Sequence, residues 1–85
     1  MKVDFSETAF KTLKKLDASI KKQIIKYVHE LEELKDPRVR GKGLSSNLSG
    51  LWRYRVGDWR LVCEIKDDKF IVLVLRIGHR SEVYD

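Results

Sequence analysis

The order of apolar and polar positions predicts two helices near the start of the chain. Apolar residues recur at helical spacing over residues 7–15 and again over residues 18–34. Ser6 is placed to cap the first helix, and the chain restarts at Asp17 or Ser19 before the second. Because the connection between them is so short, the two helices are expected to form an antiparallel hairpin. The apolar side of this hairpin would be buried by packing against a sheet.

Shorter apolar runs in the rest of the chain predict strands. Residues 38–50 contain three Gly and three Ser and are interpreted as a basic, mobile connector, while the tail, residues 78–85, is a candidate for a final edge strand. The predicted fold is therefore a single α+β domain over residues 1–85: an N-terminal helical hairpin packed on one face of a four- or five-stranded, mainly antiparallel sheet. The predicted strands are residues 2–5, 51–56, 59–65 and 70–77.

A two-residue Gly57-Asp58 turn predicts a β-hairpin in which Val56 lies opposite Trp59 and Arg55 lies opposite Arg60. Because side chains alternate along a strand, the two faces of this hairpin differ sharply. The face predicted to pack under the helices carries Trp52, Tyr54, Val56, Trp59, Leu61 and Cys63, so we interpret its aromatic rings as core rather than as base-stacking groups. The other side, which we call the arginine face, carries Arg53, Arg55, Arg60 and Val62.

The arginine face is unfavourable for an isolated fold. Arg55 and Arg60 would lie directly opposite each other with Cβ atoms about 5 Å apart, where like charges repel. A bound phosphate would remove that repulsion.

The third long strand leaves two alternatives open for the side chains that share the arginine face. A two-residue Asp67-Asp68 turn places Ile71, Leu73, Leu75 and Ile77 there, and a loop of another length places Phe70, Val72, Val74 and Arg76 there.

Charge and composition narrow the class of partner. The 85-residue chain has a net charge of +5, and residues 38–60, with six cationic side chains and one anionic, account for all of it. A basic block of this kind indicates that the partner is a polyanion such as nucleic acid or an acidic protein.

The lone Cys63 is interpreted as a small buried hydrophobe. The chain shows neither a signal peptide nor a membrane span, so a cytoplasmic location is expected.

No cluster of His, Cys or acidic residues has metal-ligand spacing, and no cofactor motif is present, so we expect neither metal nor cofactor. The arginines are suited to stabilising charge on phosphate during metal-independent RNA cleavage by the ribose 2′-hydroxyl. Tyr84 is the candidate base, since guanidinium groups favour the phenolate, and His79 or Arg80 would lie near the leaving oxygen. Arg40 and Lys42 in the connector are candidates for RNA-backbone contacts.

Residues 52–62, the segment Arg76-Ile77-Gly78-His79-Arg80 and the pair Val83-Tyr84 resemble the RelE/ParE toxin superfamily. The resemblance spans essentially the whole chain. It implies the toxin of a type II toxin–antitoxin pair, a cognate antitoxin bound in a hetero-oligomer, and cleavage of mRNA in the ribosomal A site.

Within that resemblance, Arg53, Arg55 and Arg60 match the basic strand residues of RelE-type members, and Arg80 and Tyr84 match their carboxy-terminal arginine and tyrosine. Two departures stand out: RelE-type members favour lysine at positions 53 and 55, and the spacing from Gly78 to Tyr84 is shorter than in some members. Two alternatives stay open. One is a ParE-like, non-enzymatic inhibitor of DNA gyrase, and the other is a binding module without activity.

Overall fold

The structure is a computed structural model, and it describes residues 1–82. Over this range the chain forms two helices, a mixed sheet and three short 3-10 helices, η1 to η3. The strands are β1 (Lys2–Phe5), β2 (Lys42–Gly43), β3 (Trp52–Val56), β4 (Trp59–Lys66) and β5 (Ile71–His79). The helices are α1 (Glu7–Lys15), α2 (Ala18–Glu33), η1 (Pro37–Val39), η2 (Ser46–Leu48) and η3 (Asp67–Lys69).

Both long helices begin where side-chain caps satisfy their first backbone amides. The Ser6 hydroxyl oxygen accepts a hydrogen bond from the Ala9 amide at 3.1 Å, and its own hydrogen is donated to the Leu75 carbonyl of β5. The Asp17 carboxylate accepts from the amides of Ser19 and Ile20. The predicted bounds of α1 are confirmed, and α2 ends one residue earlier than predicted.

The sheet has the strand order β1-β5-β4-β3-β2, with β1 parallel to β5 and the other pairs antiparallel. The fifth strand is β2, which lies inside the segment predicted to be a structureless connector. The tail does not form the predicted edge strand within the described residues. Its first two residues instead continue β5. The chain then turns, and the turn is held by hydrogen bonds from the Arg80 amide to the Asp58 carbonyl and from the Glu82 amide to the His79 carbonyl.

The predicted hairpin register is confirmed pair by pair, from Val56 opposite Trp59 to Trp52 opposite Cys63. The helices pack on the apolar face of this hairpin. Tyr54, Leu61 and Cys63 are fully buried there, and the Tyr54 hydroxyl donates to the Pro37 carbonyl at 2.8 Å. Burial of the aromatic rings at 52, 54 and 59 is complete for Tyr54 and partial for the two tryptophans.

A β-bulge in β5 shows that each of the two alternatives for this strand is half right. Val62 pairs with Arg76, whereas the next residue of β4, Cys63, pairs with Val74, so Leu75 is an extra residue. The alternation therefore changes phase at Leu75, which places Arg76 on the arginine face together with Ile71 and Leu73. No helix within residues 1–82 is long and apolar enough to cross a membrane.

Candidate functional site: the arginine face

Strand register brings cationic side chains from four strands onto the arginine face. Arg55 lies directly opposite Arg60, and Lys42 of β2 lies directly opposite Arg53. Val62 is paired with Arg53 on one side and with Arg76 on the other. Paired residues share a face of a sheet, so these cations form one surface and are not divided between the two sides.

The three predicted phosphate-binding arginines differ in exposure. Arg55 is exposed, whereas Arg53 and Arg60 are only 8% and 6% exposed. The Arg60 guanidinium donates from Nη1 to the carbonyl oxygens of Gly57 at 3.0 Å and Trp59 at 3.1 Å. The hairpin turn thus holds the Arg60 side chain in one orientation, a property that suits a group whose charge must be in place before a reaction begins.

A recess at the β2 edge of the arginine face collects three of the predicted phosphate-binding residues. Its volume is about 240 Å³. It is lined by Lys42, Gly43, Leu44, Ser45, Arg53 and Arg55. Three cations and one hydroxyl group surround this space, and within residues 1–82 no carboxylate lines it. Such a site favours an anion with several acceptor oxygens, and phosphate fits that description.

The tail brings Arg80 to the same end of the hairpin as Arg60. The Arg80 amide donates to the Asp58 carbonyl at 2.8 Å, and Arg80 Nη1 lies 3.8 Å from Asp58 Oδ1. The Gly57-Asp58 turn therefore contacts both arginines, through the Gly57 carbonyl for one and through Asp58 for the other. The Arg80 side chain is 64% exposed, so it remains accessible to a ligand.

Two predicted site residues do not join this surface. His79 pairs with Trp59, which faces the helices, and the two rings meet edge to face with centroids 5.5 Å apart. This placement argues against His79 as a proton donor on the arginine face. Arg40 is directed toward α2, where Nη1 lies 3.0 Å from Glu30 Oε1 and the guanidinium stacks over the Tyr27 ring at 5.4 Å. Tyr84, the predicted base, lies outside the described residues.

Comparison with known proteins identifies the family. The family model described as "ParE toxin of type II toxin-antitoxin system, parDE" matches residues 3–84. The toxin RelG of Mycobacterium tuberculosis is 32% identical over 82 residues, covering 96% of this chain and 93% of that protein. The mRNA interferase toxin RelE of Escherichia coli is 33% identical over 89 residues, covering 96% and 87%.

The chain belongs to the RelE/ParE toxin superfamily.

Solved structures support the same assignment for the toxin. The toxin–antitoxin complex RelBE2 of M. tuberculosis contains a chain with a TM-score of 0.82 and 33% identity, covering 92% of the toxin and 95% of that chain. A chain of the RelB–RelE complex of Methanococcus jannaschii has a TM-score of 0.72 and 25% identity, covering 96% and 95%. The predicted α+β fold, with two helices on one sheet face, is confirmed by these likenesses.

Sequence reasoning left Arg76 out of the site of the toxin. The toxin presents it on the arginine face only because Leu75 forms the bulge, and alternation along β5 gives no sign of one extra residue.

The prediction that Cys63 is a small buried hydrophobe is confirmed: its side chain is fully buried, and this burial raises the pKa of its thiol to about 12. The thiol therefore stays protonated at neutral pH and offers no nucleophile.

Proposed function

We propose that the toxin is a metal-independent endoribonuclease that cleaves mRNA bound to the ribosome and so inhibits translation. The observation that carries the proposal is the recess formed by Lys42, Arg53 and Arg55 beside the fixed guanidinium of Arg60. Relatives that are about one third identical are named mRNA interferase, which favours RNA as the polyanion. The ribosome enters through the resemblance to RelE-type toxins.

The proposed reaction is a transesterification within the RNA. The 2′-oxygen of a ribose forms a bond to its own 3′-phosphorus, and the bond from that phosphorus to the next 5′-oxygen breaks. A base takes the proton of the 2′-hydroxyl, and an acid or water gives a proton to the leaving 5′-oxygen. The products are a 2′,3′-cyclic phosphate and a 5′-hydroxyl. Negative charge builds up on the phosphorane, where fixed guanidinium donors stabilise it most.

The residues divide these tasks according to their surroundings. Arg60, held by two carbonyl groups, is suited to bind the phosphorane, and Lys42, Arg53 and Arg55 bind the adjoining backbone. Arg80 is proposed to lie near the leaving oxygen, where it supplies charge, since an arginine does not release its proton in proteins. Tyr84 remains the proposed base on chemical grounds and by its match to the family tyrosine.

The test is cleavage of a defined mRNA on purified ribosomes, with fragment ends mapped and their termini identified. The wild type is expected to give 5′-hydroxyl and 2′,3′-cyclic phosphate ends, and Arg60→Ala and Tyr84→Phe should each lower the cleavage rate by roughly a hundredfold or more. Lys66→Gln is the matched control, because Lys66 lies on the same face of β4 but away from the recess. Absence of wild-type fragments on both ribosome-bound and free mRNA would contradict the proposal.

A cognate antitoxin is part of the proposal, since several solved relatives are complexes with RelB. We expect its helical and extended segments to wrap the sheet and cover the arginine face. Arg60→Ala should lose cleavage while still binding the antitoxin in co-purification. Failure of the folded variant to bind would instead make Arg60 mainly an antitoxin contact.

The ParE description of the matching family model favours a second candidate, inhibition of DNA gyrase without catalysis. The two candidates predict different events in a growing cell. Endonuclease action gives mRNA fragments within minutes of expression, whereas gyrase poisoning gives DNA-damage signalling and blocks supercoiling by purified gyrase. Blocked supercoiling with intact mRNA would replace the first proposal with the second.

A further inference from the structure

A second space on the arginine face has no role in the function proposed above. It has a volume of about 430 Å³, within the range of small-molecule sites, and is lined by Ser46, Asn47 and Leu48 of η2 together with Arg76 of β5. The helix η2 follows β2 in the chain, and in the sheet β3 and β4 lie between β2 and β5. A space bordered by both η2 and β5 therefore crosses the arginine face, and we call it the η2 trough.

The η2 trough continues a row of side chains that begins in the phosphate recess. Lys42 lies opposite Arg53, Arg53 opposite Val62, and Val62 opposite Arg76. Neighbouring strands are about 4.8 Å apart, so the backbones at Arg53 and Arg76 are separated by about 10 Å. This distance allows the two guanidinium groups to bind different phosphates of one RNA strand that runs across the strands.

Arg76 is also available for a ligand in a way that two arginines of the connector, Arg38 and Arg40, are not. Arg38 and Arg40 are each bonded to a carboxylate, that of Asp67 and of Glu30 respectively. Arg76 is exposed, and within residues 1–82 its guanidinium has one hydrogen bond, a long contact of 3.4 Å to the Glu82 carbonyl. Because that partner is a neutral carbonyl group, most of the charge of Arg76 remains to be compensated.

The opposite wall of the trough offers groups that can read a base. The amide of Asn47 is exposed and carries both donors and an acceptor, the combination that matches the edge of an unpaired base. Ser46 has a left-handed backbone with φ of 57°, which is uncommon for a residue other than glycine. Hydrogen bonds from the Leu48 and Leu51 amides close this short loop and hold Asn47 in place.

We propose that the η2 trough is a nucleotide subsite that gives the toxin a sequence preference. Arg76 binds the phosphate of the nucleotide next to the cleavage position, and Asn47 bonds to the edge of its base. The inference rests on the proposed ribonuclease function and adds to it a positioning phosphate contact on one wall of the trough and a base-reading contact on the other.

The first experiment measures RNA binding without cleavage. Binding of a short single-stranded oligoribonucleotide to the purified toxin is followed at several salt concentrations for wild type, Arg76→Gln and the control Lys66→Gln. Each phosphate contact on a single strand contributes a slope of about 0.7 in log K against log salt, so Arg76→Gln should lower the slope by about that amount. A slope equal to that of the control would overturn the role of Arg76.

The second experiment maps cleavage positions on ribosome-bound mRNA. Asn47→Ala should spread cleavage over positions that the wild type avoids, and Arg76→Gln should raise KM by roughly tenfold. An unchanged pattern in Asn47→Ala would overturn base reading. If the wild type binds RNA but cuts none, the ribonuclease proposal fails while the salt slope still decides the subsite. If it binds no RNA, both fail.

Discussion

Two groups of cations from the same basic block have different surroundings in the fold. Arg38 and Arg40, at the start of the block, are bonded to Asp67 and to Glu30. Lys42, Arg53 and Arg55 instead line one recess that has no carboxylate among its described lining residues. The first group joins the connector to η3 and to α2, and the second gathers charge at one place. Proximity in sequence therefore does not decide the surroundings of these cations, because contacts made in the fold do.

The largest effect that separates the two groups is expected from Arg53→Gln. Removing one buried guanidinium from the recess that binds the RNA backbone leaves a phosphate without its charged partner, so kcat/KM for mRNA cleavage should fall by about a hundredfold. Arg38→Gln is the matched control, since it removes the same charge from a surface ion pair. Cleavage on ribosomes measures both variants. Equal losses in the two would show that net charge, and not the recess, governs activity.

The next effect concerns Gly41, the residue at which the chain passes from the first group to the second. Its φ is +78°, and an added Cβ would clash with the Arg53 carbonyl oxygen and would lie 2.7 Å from Trp52 Nε1. Gly41→Ala is therefore expected to lower the free energy of unfolding by about 2–4 kcal/mol, measured by urea denaturation.

Gly50→Ala provides the control for Gly41. Gly50 also has a positive φ, +93°, but a Cβ added there would meet no described atom within 4 Å, so only backbone strain of about 1 kcal/mol is expected. Similar losses for the two variants would mean that close packing of β2 against β3 contributes little. A larger loss for Gly41→Ala would show that this packing stabilises the edge of the sheet that carries Lys42.

Much of the arginine face was predictable from sequence because its determinants are local. The two-residue Gly57-Asp58 turn sets the register of β3 and β4, and alternation then assigns every side chain of the hairpin to a face. The placement of Arg53, Arg55 and Arg60 on one side follows from these two rules alone. Nothing farther along the chain is needed.

Sequence reasoning stops short where contacts between distant segments decide the outcome. Arg40 is bonded to a carboxylate on α2, ten positions earlier in the chain, and connector composition carries no sign of that pair. The single extra residue at Leu75 inverts the phase of β5 within an unbroken apolar run, so alternation alone gives the position of Arg76 only as one of two alternatives. Proximity in sequence groups His79 with Arg80, whereas the pairing of β4 with β5 places His79 opposite Trp59.

A smaller effect is expected from Arg40→Gln, which tests whether the first group stabilises the fold. The variant loses the ion pair with Glu30 and the stacking on Tyr27, so the midpoint of urea denaturation should fall measurably, though less than for Gly41→Ala. Cleavage per folded molecule should stay at the wild-type level. A fall in kcat/KM with an unchanged midpoint would move Arg40 into the second group.

The smallest effect is the pH dependence of the Arg38–Asp67 pair. Hydrogen bonds from the Arg38 guanidinium lower the pKa of Asp67 below its ordinary value of 3.8. Because the folded-state pKa is depressed, the pair contributes its stability fully above the unfolded pKa and loses it as the pH falls through the folded pKa. Urea denaturation of wild type and Arg38→Gln should therefore differ slightly at pH 6 and converge below about pH 3, the acid side of the carboxyl range. A difference that persisted at low pH would mean that Arg38 stabilises the fold by packing, and the first group would then be defined by contact area rather than by its carboxylates.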